Sequence, residues 1–121
     1  MRLERDEQQH SIPEELRGHF VRIVDAFVAG DYSLQSAGIA GVDPIDADTA
    51  GYIEKCIAAY GDALAPLDSA VWERSCYGWS GDHWEMLVDL TTQHQEVSDL
   101  TLHVDVRLDP LRIAVRSVHV P

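Results

Sequence analysis

The sequence predicts an α+β fold in which two N-terminal helices pack on one face of a four-stranded antiparallel β-meander. Apolar residues recur every three or four positions up to residue 60 and at every second position from residue 72 onwards, which are the periods of helices and half-buried strands. A chain of 121 residues with 45% hydrophobic content supplies one core and leaves little room for a second. We therefore expect residues 1–10 to form a flexible tail and residues 11–121 to form a single domain.

The first helix is predicted to begin at a capping box. Ser11 stands at the N-cap and Glu14 follows three positions later, so each side chain can bond the backbone N–H of the other residue. Pro13 falls in the first turn, where its missing N–H is not needed. Gly30 is the expected stop, and the apolar stripe between these points consists of Leu16, Phe20, Ile23, Val24, Phe27 and Val28.

A second helix is predicted after a loop over residues 31–45, which contains glycine and proline as helix breakers. Either Asp46 or Asp48 can cap its first turn, and Gly61 ends it. Its apolar stripe consists of Ala50, Ile53, Ile57 and Tyr60. Residues 66–71 are ambiguous and fit one further short helical turn.

Alternating apolar residues then predict four strands, which cover residues 73–79, 83–92, 99–108 and 113–120. Tight hairpin turns are predicted after the first and third strands, at residues 80–83 and 109–112. The pairing of the two middle strands stays open, because Glu85 can face either Asp105 or Arg107. Both registers turn the same apolar face inwards, whereas a slip by one residue would not.

Four side chains that can bind metals fall on the outer face of the two middle strands. His83 and Glu85 are two residues apart, as are His103 and Asp105, so each pair shares a face. Imidazole and carboxylate ligands suit zinc or iron. We nevertheless expect solvated cross-strand ion pairs, with no metal and no other cofactor, because three arginines lie beside these groups: Arg74, Arg107 and Arg116.

Trp79 and Trp84 flank the first hairpin turn on the apolar face. Large rings at such positions either close one end of a core or form the wall of a pocket between the sheet and the helices. The outer face also carries an apolar row, which predicts a homodimer or a surface for an unknown protein partner. The members of this row are Cys76, Leu87, Val118 and Val120.

The formal net charge of −12 repels phosphate backbones and anionic lipids, so we expect neither nucleic-acid binding nor membrane binding. Eight carboxylates and one base, Lys55, lie between Asp25 and Asp68. Such a run is typical of a solvated surface that keeps the protein soluble, and the alternative is a docking face for a basic partner. Two cysteines without a CxxC motif are too few for a disulfide framework. They suggest a reduced, cytoplasmic protein.

The aromatic hairpin resembles that of a family of small uncharacterised bacterial proteins. The resemblance rests on Tyr77-Gly-Trp79-Ser-Gly-Asp-His-Trp84, on Val88-Asp-Leu90, on Phe27-Val-Ala-Gly-Asp-Tyr32 and on the closing Val118-His-Val-Pro121. It implies a compact single domain of unknown function and assigns no catalytic residue.

These features favour a non-enzymatic binding module, and small acidic α+β proteins of bacteria include toxin-neutralising immunity proteins. The alternative is a small enzyme or ligand-binding protein of the cone-shaped, nuclear-transport-factor-like type, with His83 or His103 as its acid–base group. A deep pocket between helices and sheet would favour this alternative, whereas a filled core would favour the binding module.

Overall fold

Two α-helices precede an antiparallel sheet in the computed structural model, which describes all 121 residues. The elements are β1 (His10–Ser11), α1 (Glu14–Val28), α2 (Ala47–Tyr60), β2 (Leu64–Ala65), a 3₁₀ helix (Ser69–Glu73), β3 (Cys76–Trp79), β4 (Trp84–Asp89), β5 (Thr91–Thr92), β6 (Thr101–Arg107) and β7 (Arg112–His119). The α+β class is confirmed. The main sheet, however, has five strands in the order β1-β3-β4-β6-β7, and β2 pairs with β5 in a second small sheet. No helix is long and apolar enough to span a membrane.

One face of the main sheet is buried together with the apolar stripes of both helices. This core is a cluster of 26 buried residues. It takes Phe20, Ile23 and Phe27 from α1, and Ile53 and Ile57 from α2. Because side chains alternate along a strand, every second residue of the central strands joins them, namely Tyr77, Trp84, Met86, Val88, Leu102, Val104 and Val106.

The capping box predicted at Ser11 does not form. Ser11 pairs with Cys76 as part of β1. The helix α1 begins only after Pro13, whose carbonyl accepts from the backbone N–H of Leu16 at 3.0 Å, and no side chain caps this end. Ile12 is fully buried between the strand and the helix, so pairing with the sheet and burial of Ile12 prevail over the local cap.

Local backbone and side-chain hydrogen bonds determine where α1 ends and where α2 begins. Gly30 has a φ of +88°, and its N–H bonds the carbonyl of Phe27 at 2.9 Å, which is the left-handed turn expected after α1. Asp46, rather than Asp48, is the N-cap of α2 and accepts from the backbone N–H of Thr49 at 2.8 Å.

Residues 1–10 lie along the sheet, whereas the sequence suggests a flexible tail. Leu3 is buried. The backbone N–H of Glu4 donates to the hydroxyl of Tyr77 at 2.9 Å, and the carbonyl of Glu4 accepts from Nε1 of Trp84 at 2.9 Å. The polar groups of two buried aromatic side chains thus find their partners in this segment, as such groups generally must.

The middle strands adopt the register in which Glu85 faces Asp105. Arg107 lies opposite Arg112 of β7. The other register considered for the sequence, in which Glu85 faces Arg107, therefore does not occur. The first hairpin places Trp79 opposite Trp84. Both pairings keep the apolar face inwards, as the alternation requires.

An extra residue in β7 interrupts its pairing with β6. His103 faces Ser117, but the next pair is Val104 with Val115, so Arg116 has no partner in the ladder. A bulge of this kind places two successive residues on one side and reverses the alternation beyond it.

This bulge overturns the prediction that Val118 lies on the outer face. Val118 is 0% exposed and belongs to the core. Val120 is 55% exposed beyond the end of β7, in a depression that Tyr60 and Leu100 also line. The apolar row predicted for the outer face therefore loses both Val118 and Val120.

Replacement of the N-cap of α2 should destabilise the domain. Asp46→Ala removes the acceptor for the Thr49 N–H and a negative charge at the positive end of the helix, so we expect a lower urea midpoint. Ser11→Ala is the matched control, because its exposed hydroxyl caps no helix, and its midpoint should equal that of the wild type. Equal losses in the two variants would contradict this assignment.

The two valines near the C-terminus should differ sharply in their contribution to stability. Val118→Ala leaves a cavity in the core and should cost about 2 kcal/mol. Val120→Ala changes an exposed site and should stay within about 0.5 kcal/mol of the wild type. Chemical denaturation of both variants measures this difference, and the opposite ranking would place Val118 on the outer face.

Candidate functional site

Four of the candidate residues meet on the outer face of the main sheet. Glu85 in β4 lies directly opposite Asp105 in β6. His83 immediately precedes β4, and His103 lies two residues before Asp105. Because strand residues two apart share a face, the pairing of β4 with β6 brings two imidazoles and two carboxylates together.

The facing nitrogen and oxygen atoms form a ring of four. Nε2 of His83 lies 3.5 Å from Oδ1 of Asp105 and 4.0 Å from Oε1 of Glu85. Nε2 of His103 lies 3.7 Å from the same Glu85 oxygen and 4.0 Å from the same Asp105 oxygen. Charge-assisted hydrogen bonds are about 2.7–2.9 Å long. The four atoms therefore surround a common point at separations too long for such bonds.

Only some atoms around this ring have hydrogen-bond partners. Nδ1 of His83 is hydrogen bonded to the carboxylate of Asp82 in the preceding turn, and this bond lowers the pKa of Asp82. Oδ2 of Asp105 lies 3.5 Å from Nε of Arg116. Nε2 of His103 is buried and has no hydrogen-bond partner, which is uncommon for a buried polar atom.

The three arginines expected to neutralise these residues do so only in part. Arg74 and Arg107 pair with carboxylates outside the group of four, at 3.3 and 3.9 Å. Arg116 contacts the group, and it does so through the outer oxygen of Asp105. Of the three arginines, Arg116 alone therefore pairs with a carboxylate of the group.

Trp79 and Trp84 lie on the inner side of the first hairpin and do not join this group. Their ring centroids are 4.7 Å apart. The guanidinium of Arg5 lies 4.7 Å from the Trp79 centroid and 5.2 Å from the Trp84 centroid, which are cation–π distances. Trp84 is buried in the core. The two rings therefore close one end of the core, beneath Arg5.

Cys76 and Leu87 are neighbours on the outer face and line a groove of about 320 Å³. His103 and His119 line the same groove. Burial raises the pKa of the Cys76 thiol, which makes it a poor nucleophile at neutral pH. With Val118 in the core, Cys76 and Leu87 are the members of the predicted apolar row that remain on this face, beside His103 and His119.

A second groove lies where the C-terminal ends of α1 and α2 meet β2, and the sequence alone does not locate it. Its volume is about 450 Å³. Phe27, Ile57 and Leu64 line it with apolar side chains, Glu54 and Asp62 supply its charges, and no basic residue lines it. The acidic run in the sequence contains both carboxylates, but only the tertiary fold brings the end of α1 beside them.

Asp62 is fixed in this second groove by hydrogen bonds. Its carboxylate accepts from the hydroxyl of Thr92 at 2.6 Å and lies 2.8 Å from Nδ1 of His94. These bonds lower the pKa of Asp62. Burial, together with the charge of the exposed Glu54, raises the pKa of Tyr32, which also lines the groove. Asp62 therefore stays ionised and contributes a negative charge to the groove.

The space between the helices and the main sheet is filled by side chains. Phe20 and Phe27 from α1 and Met86 from β4 are almost completely buried there. The two grooves described above open at the surface of this core. A filled core is the arrangement that the sequence analysis associates with binding and not with the cone-shaped alternative.

A sequence profile described as "Domain of unknown function (DUF7668)" matches residues 24–121. The match includes α2 and every strand except β1, together with the second part of α1. No curated protein and no solved structure matches the chain. The function therefore has to be inferred from the chemistry of the grooves and of the outer sheet face.

Acidification should expose the contribution of Asp62 to stability. Its pKa in the folded chain lies below the ordinary value of 3.8, so the carboxylate stabilises the fold above that pH and loses this effect as the pH falls through the folded value. We expect the wild type to lose more stability than Asp62→Asn between about pH 5 and pH 2. Urea unfolding across this range checks it, with Glu73→Gln as the control for loss of one exposed carboxyl. Parallel curves for the wild type and Asp62→Asn would contradict this role.

Proposed function

The chain belongs to the family described as domain of unknown function DUF7668, and we propose that it is a non-enzymatic binding module for a basic segment of a protein partner. The segment docks in the groove between the ends of α1 and α2 and strand β2. Two features support this proposal. The groove combines negative charge with an apolar lining, and core side chains fill the space in which the enzymatic alternative needs its pocket.

The charge of the groove is the observation that carries the proposal. Both α-helices end beside it, and neither has a basic residue in its last turn. The negative ends of their dipoles are therefore not offset by a nearby cation of the helix. The carboxylates of Glu54 and Asp62 add to the same potential. A guanidinium or ammonium group placed here would be attracted by the two helix ends and by the two carboxylates.

The apolar lining adds a second requirement for the partner. Val28 is 44% exposed, and Ile57 and Leu64 lie beside it in the groove. An apolar side chain would cover this surface, as would the hydrocarbon stem of an arginine. The volume of about 450 Å³ falls within the range of ligand-binding clefts, roughly 300–1,000 Å³. The best occupant is therefore a basic residue next to an apolar one.

The charge of the whole chain favours the same kind of partner. A net charge of −12 attracts a basic protein over a distance and accelerates the encounter, and salt screens this attraction. A basic toxin is one partner of this chemistry, in line with the analogy to immunity proteins. The docking face suggested by the acidic run of the sequence is thus proposed here as a defined groove.

A short peptide of alternating arginine and leucine tests the proposal. Titration followed by amide NMR should show binding, with the largest shifts at Val28, Glu54 and Gly61, and the affinity should fall as salt is added. Glu54→Gln should weaken binding about two- to fivefold, the range expected for one exposed charge.

Two controls separate docking in the groove from general charge attraction. Glu73→Gln removes one exposed carboxyl that does not line the groove and should leave the affinity unchanged. A peptide with glutamate in place of arginine should not bind. Shifts spread over the whole acidic surface, or equal effects of Glu54→Gln and Glu73→Gln, would rule out the groove as the docking site.

A further inference from the structure

We propose that His83, Glu85, His103 and Asp105 bind one divalent first-row transition metal ion, for which Zn²⁺ is the representative probe. The site lies on the outer face of β4 and β6, whereas the proposed docking groove is formed by α1, α2 and β2. The two proposals use no common residue, so either can fail without the other.

The spacing of the four atoms fits such an ion. Bonds of about 2.0–2.2 Å from zinc to nitrogen and oxygen place tetrahedral ligands roughly 3.3–3.6 Å apart. The separations around the ring are 3.5, 3.7, 4.0 and 4.0 Å. The ligand atoms of His83, Glu85 and Asp105 all lie within 4.8 Å of one another, and His103 falls outside this group of three. The ring must therefore contract, with the His103 imidazole moving inwards, for all four atoms to bond one ion.

Asp82 prepares His83 to act as a ligand. The hydrogen bond from Nδ1 to the Asp82 carboxylate places the ring proton on Nδ1 and leaves the lone pair on Nε2. In the neutral ring that lone pair faces the carboxylate oxygens of Glu85 and Asp105, an arrangement that is repulsive until Nε2 takes up a proton or a metal ion lies between these atoms. A carboxylate that orients a histidine in this way is a regular feature of metal sites.

His103 supplies an independent indication. Its Nε2 is buried and has no hydrogen-bond partner, and its closest charged neighbours are the oxygens of Glu85 and Asp105 at 3.7 and 4.0 Å. An ion pair through this nitrogen would bring it closer to one oxygen, at hydrogen-bond distance. A metal ion at the centre of the ring gives this nitrogen a partner.

The charges are also balanced. Two carboxylates neutralise a divalent ion, and two neutral imidazoles add no charge. Arg116 contacts the outer oxygen of Asp105 at 3.5 Å, so Oδ1 of Asp105 remains free as a ligand. Asp105 is only 13% exposed, whereas Glu85 is 49% exposed. The ion therefore has a route of entry on the side of Glu85.

Calorimetric titration of chelator-treated protein with Zn²⁺ tests the site. We expect one zinc ion per chain, and weaker binding by about tenfold or more in Glu85→Gln, which removes a ligand, and in Asp82→Asn, which removes the partner of His83. The double variant His83→Gln/His103→Gln should bind no zinc. Co²⁺ should give a visible absorption band that Zn²⁺ displaces and the double variant lacks.

His94→Gln is the control, because His94 is an exposed histidine bonded to Asp62 outside this site, and its zinc affinity should equal that of the wild type. Unfolding midpoints without metal establish that each variant is folded. The exposed Asp82 and Glu85 (77% and 49%) can change without disturbing the core. No zinc uptake by the wild type, uptake that survives in the double variant, or equal loss in His94→Gln would each overturn the proposal.

Discussion

Removal of one sheet face from water is the constraint on which the rest of this structure depends. Residues such as Met86 in β4 and Val104 in β6 can pack against the apolar stripes of the helices only if their neighbours along each strand turn outwards. The alternation that buries the core therefore also determines where Glu85, His103 and Asp105 lie. The polar cluster on the outer face is a direct result of the requirement that builds the apolar interior.

The bulge in β7 shows how one residue adjusts both faces at once. The extra residue allows Val118 to return to the core, and it leaves Arg116 turned outwards beside Asp105. Without it, the alternation would place Val118 in water. The same irregularity thus completes the core near the end of the sheet, while Arg116 keeps the outward position that follows the inward-facing Val115.

The helical stripes and the period of two predicted the helices and the central strands, because these signals come from the residues that form each element. The failure at Ser11 has a long-range cause, because its capping pattern is correct but it pairs with Cys76, 65 residues away. The failure at Val118 has a local cause. The apolar positions of β7 change from odd (Ile113, Val115) to even (Val118, Val120) across Arg116-Ser117, whereas an unbroken alternation puts Val118 on the outer face. The shared face of the four cluster residues was predictable, but the unpartnered nitrogen of His103 and the groove at the helix ends arise from contacts between distant segments.

The two-residue strand β1 also has a protective effect. Without β1, Cys76–Trp79 would be an open sheet edge with two aromatic residues, a template on which other chains can assemble by edge-to-edge pairing. On the opposite side, Ile113 donates its backbone N–H to the carbonyl of Gly41 and accepts from the N–H of Asp43, and these two bonds cover the first part of β7. A protein trimmed to the matched residues 24–121 would lose β1 together with the core side chains of Leu16, Phe20 and Ile23. Such trimming would therefore open the sheet edge to other chains and the core to water at the same time.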